Sequence, residues 1–599
     1  MKNPITGLFR TMWHYAKGRR RLVVLTIVLQ GIATAIMMVQ PYIIGRAFNY
    51  VQTAESYTYD VFKVLALYLS TLVLMTTLTW CFWGIARVIE NVTAFHIKNT
   101  YVLDMLGIIL NLPLWWHQEN HSGKSIAKIN RAASALQSFS SSLFEIVESV
   151  IRLLAAFIAL ALIDIFSGGI ALLVSVIAIA LVVLVDQVIT KILKRIYAYD
   201  NKTASAVHDF VSNITTVISL KLQKYALTEV GKRLRKPFTL YKREKKISEG
   251  KWAVVDHLVK IMAVGVLIVY AYSVLKRGEI LLLGTFVMLY EYLRQVGDVF
   301  YTTAWRYSTM VEEYAEVTAA SSIKNAKRYI DTDTKETQLL GSWEKIALKK
   351  VTFVYKSANK KDQKKQTAGL HDIDFALNRG EKIALVGTSG SGKSTMLSIM
   401  KGLYNPQLGS VIVDERKESF KTLANSVALI PQDPEIFQNT VKYNIALGKN
   451  ISNQKIDEVL RVSRFDEVLK RLKKDTSLNI AEKGVSLSGG EKQRLSVARG
   501  LLFAEGKDIL CLDEPTSSVD SQIELTIFDR LFNQYEDKTI VASVHRLHLL
   551  TYFDTIYLFK NGKIMGHGSF ESLKKTNEYF AHLWQSYKEA SEDATLEFA

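Results

Sequence analysis

The first half of the chain is dominated by long apolar runs. Because about 20 apolar residues span the hydrocarbon core of a bilayer, six of these runs are predicted to be transmembrane helices. They lie at residues 22–44, 64–86, 147–166, 168–186, 258–274 and 281–300. Lysine and arginine are concentrated before the first run, at 19–21, and between the fourth and fifth runs, at 191–251. The positive-inside tendency therefore places both termini and two long loops in the cytoplasm.

These two loops have the periodicity of helices. About 60 residues separate the second and third runs and about 70 separate the fourth and fifth, which is far longer than an ordinary connection. Apolar residues recur at helical spacing over 93–110, 125–149, 203–222 and 226–247. Arms of roughly 25 residues would extend on the order of 35 Å into the cytoplasm. Their turns are predicted near 112–123 and 209–220, where they would contact something below the membrane.

The pattern changes after the sixth run. An amphipathic helix is predicted over 301–329, and a polar stretch follows at 331–338. We therefore predict an N-terminal membrane domain at 1–330, a linker at 331–345 and a second domain at 346–599. Residues 346–355 alternate like a strand, and the lysine-rich segment 357–367 is predicted to be a solvated hairpin tip. From Leu370 onward strands and helices alternate, which predicts an α/β domain with a mainly parallel sheet.

Composition agrees with a membrane half joined to a water-exposed half. Of the 599 residues, 49% are hydrophobic and 22% are charged, and the mean hydropathy is +0.11. The formal charge of +18 is compatible with nucleic acid, anionic lipid or positive cytoplasmic loops. The six apolar runs argue against a soluble nucleic-acid-binding protein, so no nucleic-acid partner is expected. The two cysteines, Cys81 and Cys511, provide neither a disulfide framework nor metal-ligand spacing.

A glycine-rich loop separates the predicted strand 382–386 from a helix that begins near Thr395. Its sequence is Gly387-Thr388-Ser389-Gly390-Ser391-Gly392-Lys393-Ser394. A strand, a glycine loop and a helix N-terminus direct several backbone N–H groups and the helix dipole to one point. Lys393 is placed to reach the β- and γ-phosphates, and the Ser394 hydroxyl to bind Mg²⁺. The pattern predicts a site for a nucleoside triphosphate.

Two adjacent carboxylates end another predicted strand, at 508–513. Asp513 is placed to bind Mg²⁺ directly or through water. Glu514 follows at once and is placed to orient or deprotonate an attacking water. These residues predict hydrolysis of the bound nucleotide.

A second helix start has the features of an anion site. Ser488 and Glu491 have the spacing of a capping box, and Gly489 and Gly490 leave the first N–H groups uncovered. The chain thus has two helix starts suited to phosphate, about 100 residues apart. One nucleotide need not use both, unless two chains pair head to tail and each completes the site of the other.

Taken in order, these motifs resemble those of an ATP-binding cassette (ABC) transporter of the exporter fold, in its half-transporter form. The resemblance covers nearly the whole chain and implies the role of each motif. Gly387–Ser394 resembles the Walker A loop, and Leu487–Glu491 resembles the signature segment, with Glu491 in place of the usual glutamine. Asp513 and Glu514 correspond to Walker B and the catalytic acid. The segment 517–520 resembles the D-loop.

Three further positions match the family. Tyr355 fits the aromatic residue that stacks on adenine, Gln432 fits the Q-loop, and His545 fits the switch histidine. The segment that starts at Glu482 resembles the one before the signature that contacts the coupling helices, although Ala481 replaces its usual glycine. The implied nucleotide site consists of Tyr355, Gly387, Thr388, Ser389, Gly390, Ser391, Gly392, Lys393, Ser394, Thr395, Gln432, Ser488, Gly489, Gly490 and Glu491. Its implied catalytic residues are Glu514, His545 and Lys393, and its magnesium ligands are Ser394, Gln432 and Asp513.

The resemblance implies a multidomain membrane protein that pairs an all-α, six-span domain with an α/β P-loop cassette. Two cassettes would enclose two MgATP molecules, and the arm tips would transmit their closure to the spans. A homodimer is expected, and a heterodimer stays open. The expected location is the cytoplasmic membrane of a bacterium, and the expected substrate is an amphipathic lipid, drug or peptide. Import of a siderophore-like compound and an ATP-gated channel also stay open.

Charged residues in or near the spans are candidates for substrate contact. They are Glu148, Arg152, Asp256, His257, Lys260, Glu291, Arg294 and Asp298. The spacings Glu148/Arg152 and Asp256/Lys260 also suit i,i+4 pairs, and structural pairing is the favoured interpretation. Trp80 and Trp83 are predicted to be packing or interface aromatics.

Overall fold

The computed structural model describes residues 4–56, 58–120, 122–330, 343–355, 369–480 and 487–596. Contacts divide the chain into two compact units. The N-terminal unit consists of Met1–Asn111 and Ser122–Arg328, and the C-terminal unit consists of Leu112–His121 and Tyr329–Ala599. Most of the predicted linker, the lysine-rich segment 357–367 and the Glu482 segment lie outside the described residues.

Long helices make up the N-terminal unit. In chain order the helices up to the linker are α1 (Pro4–Tyr15), α2 (Arg20–Met37), α3 (Gln40–Gln52), α4 (Tyr59–Leu110), α5 (Leu114–Glu119), α6 (Ser122–Ser141), α7 (Leu143–Ile163), α8 (Ile165–Ser212), α9 (Ile214–Ser219), α10 (Gln223–Arg235), α11 (Phe238–Lys276), α12 (Leu283–Ala319) and α13 (Ser321–Ala326). Of these, α5 belongs to the C-terminal unit. A single 3₁₀ turn, Lys327–Tyr329, follows α13.

Five helical segments in the described part of the chain are long and apolar enough to cross a membrane. They are Arg20–Gln52, Tyr59–Leu110, Ser122–Ile163, Ile165–Ser212 and Gln223–Lys276. The sixth predicted run lies in α12, which is helical but more polar. Arg294 there pairs with Glu291 at 2.5 Å and with Asp298 at 2.9 Å. These charges, which the sequence shows directly, explain why α12 differs from the other five.

The first predicted run is interrupted. The helix α2 ends at Met37 and α3 begins at Gln40, with Pro41 in its first turn. Proline has no N–H to donate and favours the first turn of a helix, so the chain starts a new helix there. By contrast, α4 is continuous over 52 residues and contains both the second run and the first arm helix.

Buried ion pairs connect helices of the N-terminal unit. Lys251 Nζ of α11 lies 2.7 Å from Asp186 Oδ1 of α8, and the two side chains are 3% and 5% exposed. Removing one partner of such a pair would leave a buried charge uncompensated. The pair therefore fixes how α8 and α11 align. The predicted Glu148–Arg152 pair is also present, at 2.6 Å, whereas Asp256 accepts a hydrogen bond from Tyr301 Oη at 3.1 Å.

Short helices occupy the predicted turns of both long loops. In the first, α5 spans six residues between α4 and α6. In the second, α9 spans six residues between α8 and α10. In each loop, a short helix therefore connects the helix that precedes it to the helix that follows it: α5 connects α4 to α6, and α9 connects α8 to α10.

The C-terminal unit is an α/β domain with two sheets. Its strands are β1 (Lys345–Val354), β2 (Gly369–Asn378), β3 (Lys382–Val386), β4 (Leu408–Val413), β5 (Arg416–Glu418), β6 (Val427–Ile430), β7 (Ile509–Asp513), β8 (Thr539–Ser543), β9 (Thr555–Lys560) and β10 (Lys563–Gly568). The six-stranded sheet has the order β10-β9-β3-β8-β7-β6. Its neighbours are parallel except β9 and β10, as the alternation of strands and helices predicts. A four-stranded antiparallel sheet, β2-β1-β4-β5, is an addition that the sequence did not predict.

The remaining helices cover the two sheets. They are α14 (Lys393–Met400), α15 (Phe420–Ser426), α16 (Val441–Ala446), α17 (Asn453–Val462), α18 (Phe465–Leu472), α19 (Gly489–Phe503), α20 (Ser521–Gln534), α21 (Phe570–Thr576) and α22 (Glu578–Leu596). In the sheet, β8 lies between β3 and β7, and all three strands are buried along their length. Because parallel strands end at one edge, the loops that follow them meet there. Those loops contain Gly387, Glu514 and His545.

Candidate nucleotide site

The glycine loop after β3 requires its glycines for steric reasons. Gly390 and Gly392 have φ of 77° and 113°, in the left-handed region that side chains disfavour. A Cβ on Gly392 would lie 2.5 Å from Leu370 Cδ2, and one on Gly387 would lie 2.2 Å from the Phe559 carbonyl oxygen. The loop therefore closes tightly between neighbouring strands, and α14 begins directly after it at Lys393.

The ammonium group of Lys393 lies inside this loop. Its Nζ donates to the carbonyl oxygens of Gly387 at 2.8 Å and Thr388 at 3.3 Å. The residue is only 4% exposed. Burial lowers the pKa of Lys393, while the nearby carboxylates of Glu514 and Asp513 oppose this change. The loop thus holds a partly desolvated cation at the start of a helix, which suits a phosphate.

Ser394 and Asp513 face each other across the end of the sheet. The Ser394 hydroxyl donates to Asp513 Oδ1 at 2.9 Å. Burial raises the pKa of Asp513, and the hydrogen bond from Ser394 opposes that shift. A hydroxyl and a carboxylate oxygen, with the Gln432 amide at the same cavity, form the hard oxygen set that Mg²⁺ prefers. These residues fit the predicted ion.

Glu514 is held between two polar side chains. Gln432 Nε2 donates to its Oε2 at 2.8 Å, and His545 Nε2 contacts its Oε1. Its backbone is left-handed, with φ of 45°, and such strain concentrates at functional positions. The carboxylate is therefore fixed at the mouth of the site by groups from two other loops.

A cavity of about 370 Å³ joins these elements. Its wall consists of Tyr355, Gly369, Ser389, Gly390, Ser391, Gly392, Lys393, Ser394, Thr395, Gln432, Glu514 and His545. Of the other predicted residues, Gly387 and Thr388 bind the lysine and Asp513 binds Ser394. Within the described chain, Ser488, Gly489, Gly490 and Glu491 are not among the residues that line this cavity. The structure therefore assembles all of the predicted site except its second helix start.

That second helix start forms as its spacing predicts. Ser488 is the N-cap of α19, and Ser488 and Glu491 form a reciprocal capping box. The Ser488 N–H donates to Glu491 Oε2 at 2.7 Å. The other carboxylate oxygen of Glu491 contacts Arg471, a partner that lies 20 residues earlier in the chain. Burial alone would raise the pKa of Glu491, but the hydrogen bonds from Ser488 and Arg471 outweigh burial and lower it.

Two family models match the chain, one mainly in the N-terminal unit and one in the C-terminal unit. Residues 23–296 match the family described as ABC transporter transmembrane region, and residues 370–517 match the family described as ABC transporter. The chain belongs to the ABC transporters. The match implies that the C-terminal unit binds ATP.

Similar proteins come from bacteria and from eukaryotes. The chain is 27% identical over 518 residues to ATP-dependent lipid A-core flippase 1 of Colwellia psychrerythraea, with 84% of each protein covered. It is 25% identical over 499 residues to ATP-binding cassette sub-family B member 6 of Xenopus tropicalis, with 81% of this chain covered. The chain spans only 56% of the length of that relative. Its fold is similar to that of a bacterial Atm1-family ABC exporter with ATP bound, with a TM-score of 0.82, 20% identity, and coverage of 95% of this chain and 99% of the other.

The first arm tip of this ABC transporter is part of the C-terminal unit. Leu114 of α5 packs against the apolar core beneath the antiparallel sheet. Gln118 Nε2 donates to Tyr404 Oη at 2.7 Å, and the Tyr404 ring meets the Tyr355 ring edge to face at 5.4 Å. Tyr355 in turn shares a 2.8 Å hydrogen bond with Thr395. A continuous set of contacts thus joins the arm tip to the nucleotide cavity.

Three other residues that the sequence did not single out connect the loops of the ABC cassette. Gln493 of α19 donates to Ser517 Oγ and accepts from the Ser518 N–H, each at 2.8 Å. Arg546, next to His545, has a guanidinium nitrogen 3.0 Å from a carboxylate oxygen of Glu524 in α20. These contacts fix residues 517 and 518 relative to α19, and residue 546 relative to α20. Nothing in the sequence around Gln493, Arg546 or Glu524 indicates these contacts, so only the fold identifies the three residues as connecting groups.

Proposed function

We propose that this protein is an ATP-driven membrane transporter that exports or flips an amphipathic substrate as a homodimer. One observation carries the proposal: a chain with membrane-spanning helices has two helix starts suited to phosphate, and only one of them lines the nucleotide cavity. The second helix start, at Ser488, can bind the same nucleotide if it completes the cavity of another copy of the chain. The similarity over 84% of a lipid A-core flippase supports an amphipathic substrate and a bacterial cytoplasmic membrane.

In this dimer each nucleotide lies between two chains. The loop 387–394 of one chain binds the phosphates from one side, and Ser488–Gly490 of the partner chain contacts them from the other. ATP then binds the closed pair more tightly than the open pair and favours closure, and hydrolysis removes that preference. The α5 contact with the cassette transmits this change to the spans.

The residues around the cavity supply the chemistry of hydrolysis. Glu514, oriented by Gln432 and His545, accepts a proton from the attacking water. Lys393 stabilises negative charge on the terminal phosphates. Ser394 and Asp513, with Gln432 close by, would hold a magnesium ion, which would supply further neutralisation of that charge.

The direct test is movement of lipid in reconstituted vesicles. A fluorescent phospholipid in one leaflet should change leaflet in the presence of MgATP, and the rate should fall to background when EDTA removes magnesium. The Glu514→Gln chain serves as the control for passive leakage. If the probe equilibrates equally fast without ATP, the protein acts as a channel or scramblase and the transporter proposal is wrong.

Arg471 gives a second prediction, specific to the glutamate in this signature segment. In the proposed dimer the carboxylate of Glu491 lies one helical turn from the partner's nucleotide, and Arg471 compensates its charge. Arg471→Ala should raise the apparent KM for ATP about 3–10-fold, a modest effect because Arg471 is 64% exposed. Steady-state ATPase assays at low ionic strength measure this change.

The signature glutamate provides the matched control. In Arg471→Ala/Glu491→Gln the uncompensated charge is absent, so the KM should return close to the wild-type value. A KM that stays high in the double variant would show that Arg471 acts through the fold of α18 and not through charge.

A further inference from the structure

Two cavities in the N-terminal unit meet at one side chain, Glu148. The first, here named the Trp305 cavity, has a volume of about 490 Å³ and lies between α7 and α12, with Arg152 and Trp305 in its wall. The second, named the Trp80 cavity, has a volume of about 210 Å³ and lies between α2, α4 and α7. Both include Glu148. Together they have the size of sites that bind small amphipathic ligands.

Glu148 forms an ion pair with Arg152 one turn along α7. The carboxylate and guanidinium are 2.6 Å apart, and the side chains are 26% and 21% exposed. Arg152 also donates a hydrogen bond from Nη2 to Met37 Sδ, at 3.6 Å. Its buried Nε has no hydrogen-bond partner among the described residues. A buried donor without a partner is unusual in a folded protein and suits an acceptor from a ligand.

The other charges near the Trp305 cavity are already compensated. Glu145 Oε2 faces Arg306 Nε at 3.8 Å, an ion pair without a hydrogen bond between these two atoms, and Arg306 also donates to both carboxylate oxygens of Glu313 at 3.2 Å. Asp256 accepts from the Tyr301 hydroxyl. Both members of the Glu148–Arg152 pair line the Trp305 cavity, and Glu148 also lines the Trp80 cavity, whereas Arg306 and Asp256 are not among the described residues that line either one. The Glu148–Arg152 pair is therefore the ion pair with which a guest in these cavities would exchange contacts.

The pairing determines which charge a guest can carry. A guest with one charge would separate Glu148 from Arg152 and leave the other side chain uncompensated in a poorly solvated place. A guest with a phosphate beside an ammonium group replaces both partners at once, because the phosphate binds the guanidinium and the ammonium binds the carboxylate. The pair thus favours a zwitterionic head group.

The walls suit the remainder of such a guest. Phe144, Tyr301 and Trp305 line the Trp305 cavity, and Trp80 and Trp83 lie edge to face at 4.8 Å in the Trp80 cavity. Aromatic faces attract ammonium groups and pack against acyl chains. Phe144 lies at the start of α7, and the other four lie in α4 and α12. All five are near the predicted inner ends of the second, third and sixth runs, which is the level of the inner-leaflet head groups.

We propose that the Glu148–Arg152 pair is the head-group site for a membrane lipid that carries phosphate and ammonium together, of the phosphoethanolamine or phosphocholine type. Arg152 binds the phosphate, Glu148 binds the ammonium, and the aromatic walls hold the adjoining part of the lipid. This inference rests on the proposed transport function and names its substrate class.

The test uses three detergents with the same twelve-carbon chain on the full-length protein in lipid vesicles. They are dodecylphosphocholine, dodecyltrimethylammonium and dodecyl phosphate, each added below its micelle-forming concentration. The zwitterion should stimulate ATP hydrolysis at a concentration about tenfold lower than either singly charged probe, since it alone satisfies both side chains. Equal stimulation by all three would overturn the proposal.

Single and paired substitutions then assign the selectivity to these residues. Arg152→Gln should shift the preference toward the cation, and Glu148→Gln should shift it toward the anion. The exchanged pair, Glu148→Arg/Arg152→Glu, keeps both charges and should keep the zwitterion preference, so it tests the idea even if a single variant fails to insert. Arg233→Gln, in the i,i+4 pair with Glu229 on α10, is the matched control and should leave the preference unchanged.

The two proposals fail in different ways. If hydrolysis is absent or does not depend on Glu514, the transport function itself is wrong. If hydrolysis is normal but the order of the three probes is the same in wild type, Glu148→Gln and Arg152→Gln, only the head-group site is wrong.

Discussion

Replacement of Glu514 by glutamine is expected to lower ATP turnover by about 100- to 10,000-fold, the contribution of a positioned general base. Glutamine has the same shape and keeps a contact with Gln432, but it cannot accept the proton of the attacking water. ATP should still bind, because the loop 387–394 is unchanged, and the dimer should accumulate in its closed form. Phosphate release and cross-linking of the closed dimer measure the two effects.

An acid outside the cavity is the appropriate control. Glu505 follows α19 on the surface and is 62% exposed, in contact with Lys455. Glu505→Gln removes the same charge and should leave turnover within about twofold of wild type, as surface substitutions usually do. Near-normal turnover in Glu514→Gln would show that another group activates the water.

Mixed dimers should recover activity that neither parent has. Lys393→Ala removes the cation of the phosphate loop, and Gly490→Asp adds a side chain whose Cβ lies 2.6 Å from the Ser518 carbonyl oxygen, with a carboxylate at the second helix start. Each homodimer should be inactive. In a mixed dimer one site combines the intact loop of one chain with the intact helix start of the other, so turnover should return to roughly half of wild type if the two sites act independently.

Two affinity tags isolate the mixed dimers, and ATPase assays compare them with both parents. As a control, Lys393→Ala pairs with a chain that carries both substitutions, because that combination contains no intact site. If the first mixture is as inactive as the control, the nucleotide is not shared between chains. Activity in the Gly490→Asp homodimer would lead to the same conclusion.

Local patterns predicted those features that depend on neighbours in sequence. The loop 387–394 between a strand and a helix, the capping box of Ser488 and Glu491, and the Glu148–Arg152 pair each depend on residues a few positions apart. Spacing alone constrains such contacts, because a helix places i and i+4 side by side. The mainly parallel sheet was predicted in the same way, from alternating strands and helices.

Contacts between distant segments were not predictable from one sequence. Lys251 and Asp186 are 65 residues apart and buried, and nothing in either neighbourhood indicates a partner. Arg471 is one of several basic residues in 470–474, and only the packing of α18 on α19 selects it as the partner of Glu491. The antiparallel sheet was missed for a related reason: its register is set by strands that pair across the intervening 357–367 segment and the phosphate loop.

The position of α5 also affects how the chain is synthesised. The contact between Gln118 and Tyr404 spans 286 residues, so the first arm tip leaves the ribosome long before the surface that receives it. At 5–20 residues per second this delay is roughly 15–60 s. During that interval Leu114 and Trp116, which are sheltered in the finished protein, are available to chaperones and to proteases. Premature termination of translation within the second domain would leave this apolar tip permanently without its partner, and quality-control proteases would then recognise the truncated product there.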